Sequence, residues 1–152
     1  MKKQLRKGEL DELSKEIQRV FGVAQCFAGK KVELDEHVII ADGEQVFIKK
    51  NGLLLPTLRS LHKNCFLKKV SVDKGAIPFV CKGADVMRPG IVTFDAGIQK
   101  DELVAVVDAV HQKPLAVGKM MMGAQDAQVL DKGKVIENLH FVGDTYWKGE
   151  AT

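Results

Sequence analysis

Long apolar runs are missing from this 152-residue sequence. The longest, such as Leu103–Val107 and Val38–Ala41, fall far short of the roughly 18 residues that cross a bilayer. The start, Met1 to Gly8, is basic but leads into a polar, acidic stretch instead of the apolar core of a secretory signal. A soluble, cytoplasmic protein with no membrane partner is expected. Cysteine is scarce and badly placed for bridging. Cys26, Cys65 and Cys81 are odd in number, widely spaced and without a C-x-x-C pair, which argues against a disulfide framework and predicts buried or half-buried thiols. His37, His62, His111 and His140 are isolated from one another and from the cysteines, so no metal site is expected. Aromatics are few, with seven Phe, one Trp and one Tyr, so stacking is not expected to dominate any binding.

Catalytic patterns are missing too. Gly22 to Gly29, followed by Lys30-Lys31, has six residues between the glycines where a phosphate loop has four. Lys31 also stands where Ser or Thr would hold Mg²⁺. There is no G-x-G-x-x-G, and Ser14, Ser60 and Ser71 lie outside any nucleophile elbow. Asp35-Glu36-His37 gathers three ionisable groups, but neighbours on a strand face opposite ways, and a solvated strand entrance explains them. No catalytic residue and no cofactor are expected.

What remains is ordinary globular material, 45% hydrophobic and 28% charged. Leu10, Leu13, Ile17, Val20 and Phe21 fall three or four apart and predict a helix over 8–21. Glu9, Asp11 and Glu12 sit in its first turn, and Gly22 stops it. Lys31–Leu34, His37–Ala41, Gln45–Lys49 and Leu53–Leu55 predict strands, with Asp42-Gly43 and Asn51-Gly52 as hairpin turns. Pro56-Thr57 opens a short helix through His62, and Phe66–Val72 reads as the strand closing a first α+β unit. After a helical turn within Asp73–Cys81, the strands Ile91–Phe94, Leu103–Val110, Pro114–Met121, Val129–Leu130 and Val135–Val142 suggest a small barrel or sandwich.

The net charge of +3 conceals an asymmetry. Residues 1–72 carry 14 Lys and Arg against nine Asp and Glu, net +5, whereas 73–152 carry nine against 11, net −2. The basic character belongs to the first half.

The most specific stretch runs Val72-Asp73-Lys74-Gly75-Ala76-Ile77-Pro78-Phe79-Val80-Cys81-Lys82-Gly83-Ala84-Asp85-Val86-Met87-Arg88-Pro89-Gly90-Ile91. Asp101–Val106, Pro114–Gly118 and His140–Asp144 follow in order. Together these pieces resemble a PUA domain, the pseudobarrel RNA-binding module, over residues 73–148. The version of the opening is similar to the malignant-T-cell-amplified-sequence type and to the matching part of ligatin. The resemblance implies an α+β pre-PUA domain over 1–72 and a mostly-β PUA pseudobarrel over 73–152.

The groove residues have physical reasons of their own. Gly75 and Gly83 let a nucleotide approach backbone closely, and Ala76 and Ala84 keep the adjoining space open. Pro89-Gly90 turns the chain into the next strand, Gly143 lets the last strand lie against the groove, and Met87 is either a groove wall or plain core. Lys74 and Arg88 complete the set. The resemblance implies structured RNA as partner, with a tRNA acceptor stem and its CCA end or small-subunit rRNA as the ligands, and a role in translation on the ribosome. Lys49, Lys50, Arg59, Lys63, Lys68 and Lys69 form the candidate basic pre-PUA face for rRNA. It further implies two alternatives: an adapter for a density-regulated-type, initiation-factor-like protein, or an accessory subunit for RNA modification.

Overall fold

The computed structural model describes residues 2–23 and 27–149, so Cys26 lies outside the described residues. Cys65 and Cys81 are half-buried thiols, as expected.

The first unit is a five-stranded antiparallel meander with one helix laid on it. Strand β1 (Lys2–Gln4) leads into helix α1 (Lys7–Phe21), followed by β2 (Val32–Asp35), β3 (Val38–Ala41), β4 (Glu44–Lys50) and β5 (Leu53–Pro56). Helix α1 ends where expected. Gly22 adopts φ 70° and its N–H bonds the carbonyl of Gln18, a left-handed cap that a residue with a Cβ would strain. The stripe buries Leu13 and Ile17 against Phe27, Val32, Ile39 and Phe47, whereas Val20 at its end stays half in solvent. Both dipeptide turns form tight hairpins. Asp42-Gly43 and Asn51-Gly52 all have positive φ, and Ala41 faces Glu44 while Lys50 faces Leu53.

Helix α2 (Leu58–Lys63) is capped by Thr57, whose Oγ1 accepts from the Ser60 N–H at 3.2 Å. Strand β6 (Lys69–Val72) follows. The sequence reading makes this strand the close of the first unit, but it sits in the second sheet, parallel to β9 (Leu103–Asp108) and antiparallel to β8 (Ile91–Phe94). The pairing is non-local, and apolar alternation cannot reveal it.

The second sheet also contains β7 (Val86–Met87), β10 (Pro114–Met120) and β11 (Lys134–Phe141), in the order β7-β11-β10-β9-β6-β8. Its two edge strands, β7 and β8, are separated in the chain only by the 3-10 turn Arg88–Gly90, so the sheet curls into a nearly closed pseudobarrel. A bulge in the β10–β11 pairing falls at Val117/Gly118. A Cβ on Gly118 would collide with the Ile136 side chain and stand 2.8 Å from the Glu137 carbonyl oxygen. The expected strand Val129–Leu130 is absent. Helix α4 (Ala124–Gln128) occupies the preceding residues, and Val129 is its exposed cap.

The barrel interior holds Val70, Val104, Val106, Ala116, Met120 and Ile136. A separate cluster joins the two sheets, with Ile48, Leu55, Leu58 and Leu61 packed on Ala105, Val107, Val117 and Leu139. A buried polar strut crosses the same interface. His140 on β11 accepts the Leu58 N–H at Nε2 (3.0 Å), and its Nδ1 stands 2.7 Å from Asp144 Oδ2. An N–H aimed at Nε2 requires the lone pair there, so Nδ1 carries the proton and donates to Asp144. Among the described residues no helix is long and apolar enough to cross a membrane.

Candidate nucleic-acid interface

The turn after β6 builds one wall of a groove. Asp73 Oδ1 accepts the Ala76 N–H at 2.9 Å, and the Asp73 N–H bonds the Gly90 carbonyl at 2.9 Å. Helix α3 (Ile77–Val80) follows, with Pro78 in its first turn where a missing N–H costs nothing. It buries Val80 and leaves the Phe79 ring 64% exposed. The opposite wall is β7 and the 3-10 turn, with Met87 44% exposed. Asn138 on β11 holds the walls together from behind, donating to the carbonyls of Val80 (3.1 Å) and Ala84 (3.0 Å).

The groove is open to solvent and has a volume of about 370 Å³. Six expected residues line it: Gly75, Ala76, Ala84, Met87, Pro89 and Gly90. Phe79, Val80, Val86, Asp73 and Asp85 line it too and were not singled out from the sequence. Phe79 had a signal, being an aromatic inside the recognisable stretch directly after Pro78. Among the described lining residues, Asp73 and Asp85 are the only charged ones, and both are engaged. Asp73 caps the turn, and Asp85 accepts the Asn138 N–H and pairs with Lys134. The groove is therefore apolar, with no cation inside it.

The other four expected residues lie outside this lining. Lys74 is exposed on the turn. Arg88 folds back on the barrel, donating to the Ile91 carbonyl at 3.2 Å with its guanidinium 5.5 Å from the Phe94 ring centre. Gly143 sits in an open turn at φ 99°. Gly83 is held by packing, since its φ is 94° and a Cβ would stand 2.9 Å from the Phe141 ring. Gly90 also has a packing reason, because its Cβ would stand 3.0 Å from that of Ala76. Gly75 has none. Its φ is not positive, and a Cβ there would meet only Asp73 Oδ1, at an ordinary 3.5 Å.

The six basic residues do not form one face. Lys49 stands beside Glu9, Glu12 and Glu16 of α1. Lys50 reaches across the interface to the Leu139 carbonyl at 2.7 Å. Lys68 pairs with Glu102 at 3.4 Å, and Lys69 is half-buried in β6. Arg59 and Lys63 share a wider cleft, in which Arg59 lies 4.2 Å over the Trp147 ring and Lys63 pairs with Glu44. Among the described residues no group of three or more His, Cys, Asp or Glu is placed to hold a metal ion.

Comparison with known proteins agrees with this architecture. The PUA domain model matches residues 68–142. An uncharacterised protein of Methanocaldococcus jannaschii is 41% identical over 94% of this chain and 93% of its own. Malignant T-cell-amplified sequence 1 of Rattus norvegicus is 41% identical over 78% of this chain and 69% of its own. Translation machinery-associated protein 20 of Eremothecium gossypii is 35% identical over 78% and 73%. Among solved structures, a hypothetical protein of Pyrococcus horikoshii OT3 superposes with TM-score 0.84 at 28% identity, covering 99% of this chain and 100% of that one. An H/ACA ribonucleoprotein bound to a substrate RNA matches with TM-score 0.52 at 29% identity, over 62% of this chain and 28% of that one. With a nearly closed pseudobarrel behind an N-terminal sheet and helix, the chain belongs to the PUA-domain proteins of the malignant-T-cell-amplified-sequence type.

Proposed function

We propose that this protein is a non-catalytic RNA-binding protein of the translation apparatus. It takes the single-stranded end of a structured RNA, such as a tRNA acceptor stem with its CCA end or an exposed segment of small-subunit rRNA, into the groove between α3 and β7. Gly75 is the observation that carries the reading. The fold places no demand for glycine there, and a site for close backbone approach by a ligand supplies one. An apolar groove edged by an exposed Phe79 ring suits an unpaired base, whose face stacks on aromatic carbon without any sequence requirement. The name of the Eremothecium gossypii relative supports a place in translation, and the RNA-bound neighbour supports RNA as the ligand.

The groove's lack of cations favours one further reading, an apolar side chain of a protein partner of the density-regulated type seated on Phe79 and Met87. The two are separated by fluorescence anisotropy with a hairpin RNA carrying a CCA tail, the same hairpin without the tail, and a duplex DNA of equal length. Stacking of one base is worth about 1–3 kcal/mol, so the tailed hairpin is expected to bind roughly tenfold tighter or better than the blunt one. Equal affinity for all three molecules overturns the RNA reading of the groove.

A further inference from the structure

A second concave site lies away from the groove, between α2, the β3–β4 hairpin and the C-terminal turn, with a volume of about 810 Å³. Its rim is cationic on three sides. Lys30 enters from the segment before β2, Arg59 and Lys63 from α2, and Lys148 from the C-terminal turn. Among the described lining residues Glu44 is the one carboxylate. Lys63 pairs with it, and Lys30 adds its field against that of nearby Asp42, so cations still outnumber carboxylates around the cleft. The floor is apolar, formed by Phe47 and Phe66. Polar groups of Gln45, Ser60 and Asn64 stand between floor and rim.

The Lys30 and Lys148 side chains are exposed and make no hydrogen bond or ion pair among the described residues. Arg59 is fixed on Trp147, donating from Nη2 to its carbonyl at 2.8 Å, which steadies the C-terminal wall. The chain leads from that wall back toward the groove. Phe141, whose ring packs on Gly83 beside the groove residue Ala84, begins a turn in which Asp144 accepts the Phe141 and Trp147 N–H groups. One short chain segment therefore connects the two sites.

We propose that this cleft is a second contact for the same RNA, holding a phosphodiester segment with its phosphates on Lys30, Lys63 and Lys148 and its sugar or base edge on the apolar floor. The inference rests on the RNA-binding reading and locates the basic contact that the dispersed lysines of the N-terminal half do not make. An acidic polypeptide offers carboxylates to the same cations. The mixed rim and floor, with amide and hydroxyl groups between them, match the alternation of phosphate, ribose and base more closely.

The test uses the full chain and the tailed hairpin RNA across a salt series, comparing wild type, Lys30→Glu/Lys148→Glu, and Lys7→Glu/Lys15→Glu. The last pair lies on the exposed side of α1 and changes the net charge identically. Losing two phosphate contacts lowers the slope of log affinity against log salt by about 1.4, and the cleft variant is expected to bind at least tenfold more weakly than the α1 variant. Equal losses in the two variants, with wild-type binding intact, overturn the cleft and leave the RNA reading standing. No saturable RNA binding by wild type overturns both. Wild-type binding of fluorescent polyglutamate that Lys30→Glu/Lys148→Glu abolishes, with RNA affinity unchanged, overturns the proposal in favour of an acidic polypeptide.

Discussion

Replacing His140 by Phe tests how the two sheets are held together. The ring is 1% exposed and sits between Leu58 of α2 and Asp144 of the C-terminal turn. Phe keeps the ring's approximate size but removes both hydrogen bonds. The Leu58 N–H then has no acceptor in a buried site, which costs about 1–3 kcal/mol, and the bond to the Asp144 carboxylate removes about 1.5–3 kcal/mol more. Part of this returns through the added apolar burial, so a net loss of about 3 kcal/mol is expected. For a chain of this size that lowers the thermal midpoint by roughly 6–12 °C, read by calorimetry or far-UV circular dichroism. A cycle with Asp144→Asn isolates the His140–Asp144 coupling. A midpoint within about 2 °C of wild type would refute the claim that this strut ties α2 to the barrel.

Gly83→Ala forces a Cβ into a left-handed conformation and against the Phe141 ring, and is expected to cost about 2 kcal/mol in urea unfolding. A change inside about 0.5 kcal/mol would contradict the packing role. Acid stability follows from two carboxyls held below the ordinary carboxylate range. For Asp144, burial pushes the value up, but the bonds from His140 and from the Trp147 and Phe141 N–H groups outweigh it. For Asp108, the His111 N–H is the main cause, helped against burial by those of Lys113 and Val110. With folded values depressed, the unfolded chain binds protons first as pH falls. Their stabilisation is complete above the unfolded carboxylate value of about 4 and is lost as pH drops through the folded values. Asp108→Asn and Asp144→Asn should flatten that acid limb in unfolding experiments between pH 5 and 2, and an unchanged limb would contradict the assignment.

Local chemistry was readable where it acts locally. The three- and four-residue spacing from Leu10 to Phe21, the Gly22 cap and the two positive-φ hairpin dipeptides all appear where the residues require them. The parallel pairing of β6 with β9 was not readable, because strand texture does not name a partner. Helix α4, Ala-Gln-Asp-Ala-Gln, was hidden by its lack of an apolar stripe, while the neighbouring Val129-Leu130 imitated a strand. In the groove, the small residues were legible from the ordered motif, but their reasons were not. Gly83 and Gly90 answer to Phe141 and Ala76, contacts made only in three dimensions. Arg88 and Lys50 look like ligand-seeking cations in sequence and are spent on carbonyls inside the fold. The basic N-terminal half is real as a sum, yet its charges scatter over several faces.

The central claim is that the α3–β7 groove receives the single-stranded end of an RNA, and Gly75→Leu tests it most directly. Gly75 lines the groove, a Cβ there makes only an ordinary contact with Asp73 Oδ1, and its φ is not positive, so the unfolding midpoint should stay near the wild-type value while a larger side chain narrows the groove. The measurement is the anisotropy affinity ratio of tailed to tailless hairpin RNA in wild type and variant. The account predicts that the ratio, roughly tenfold or more in wild type, falls to about one in Gly75→Leu. A folded variant that keeps the wild-type ratio would contradict it.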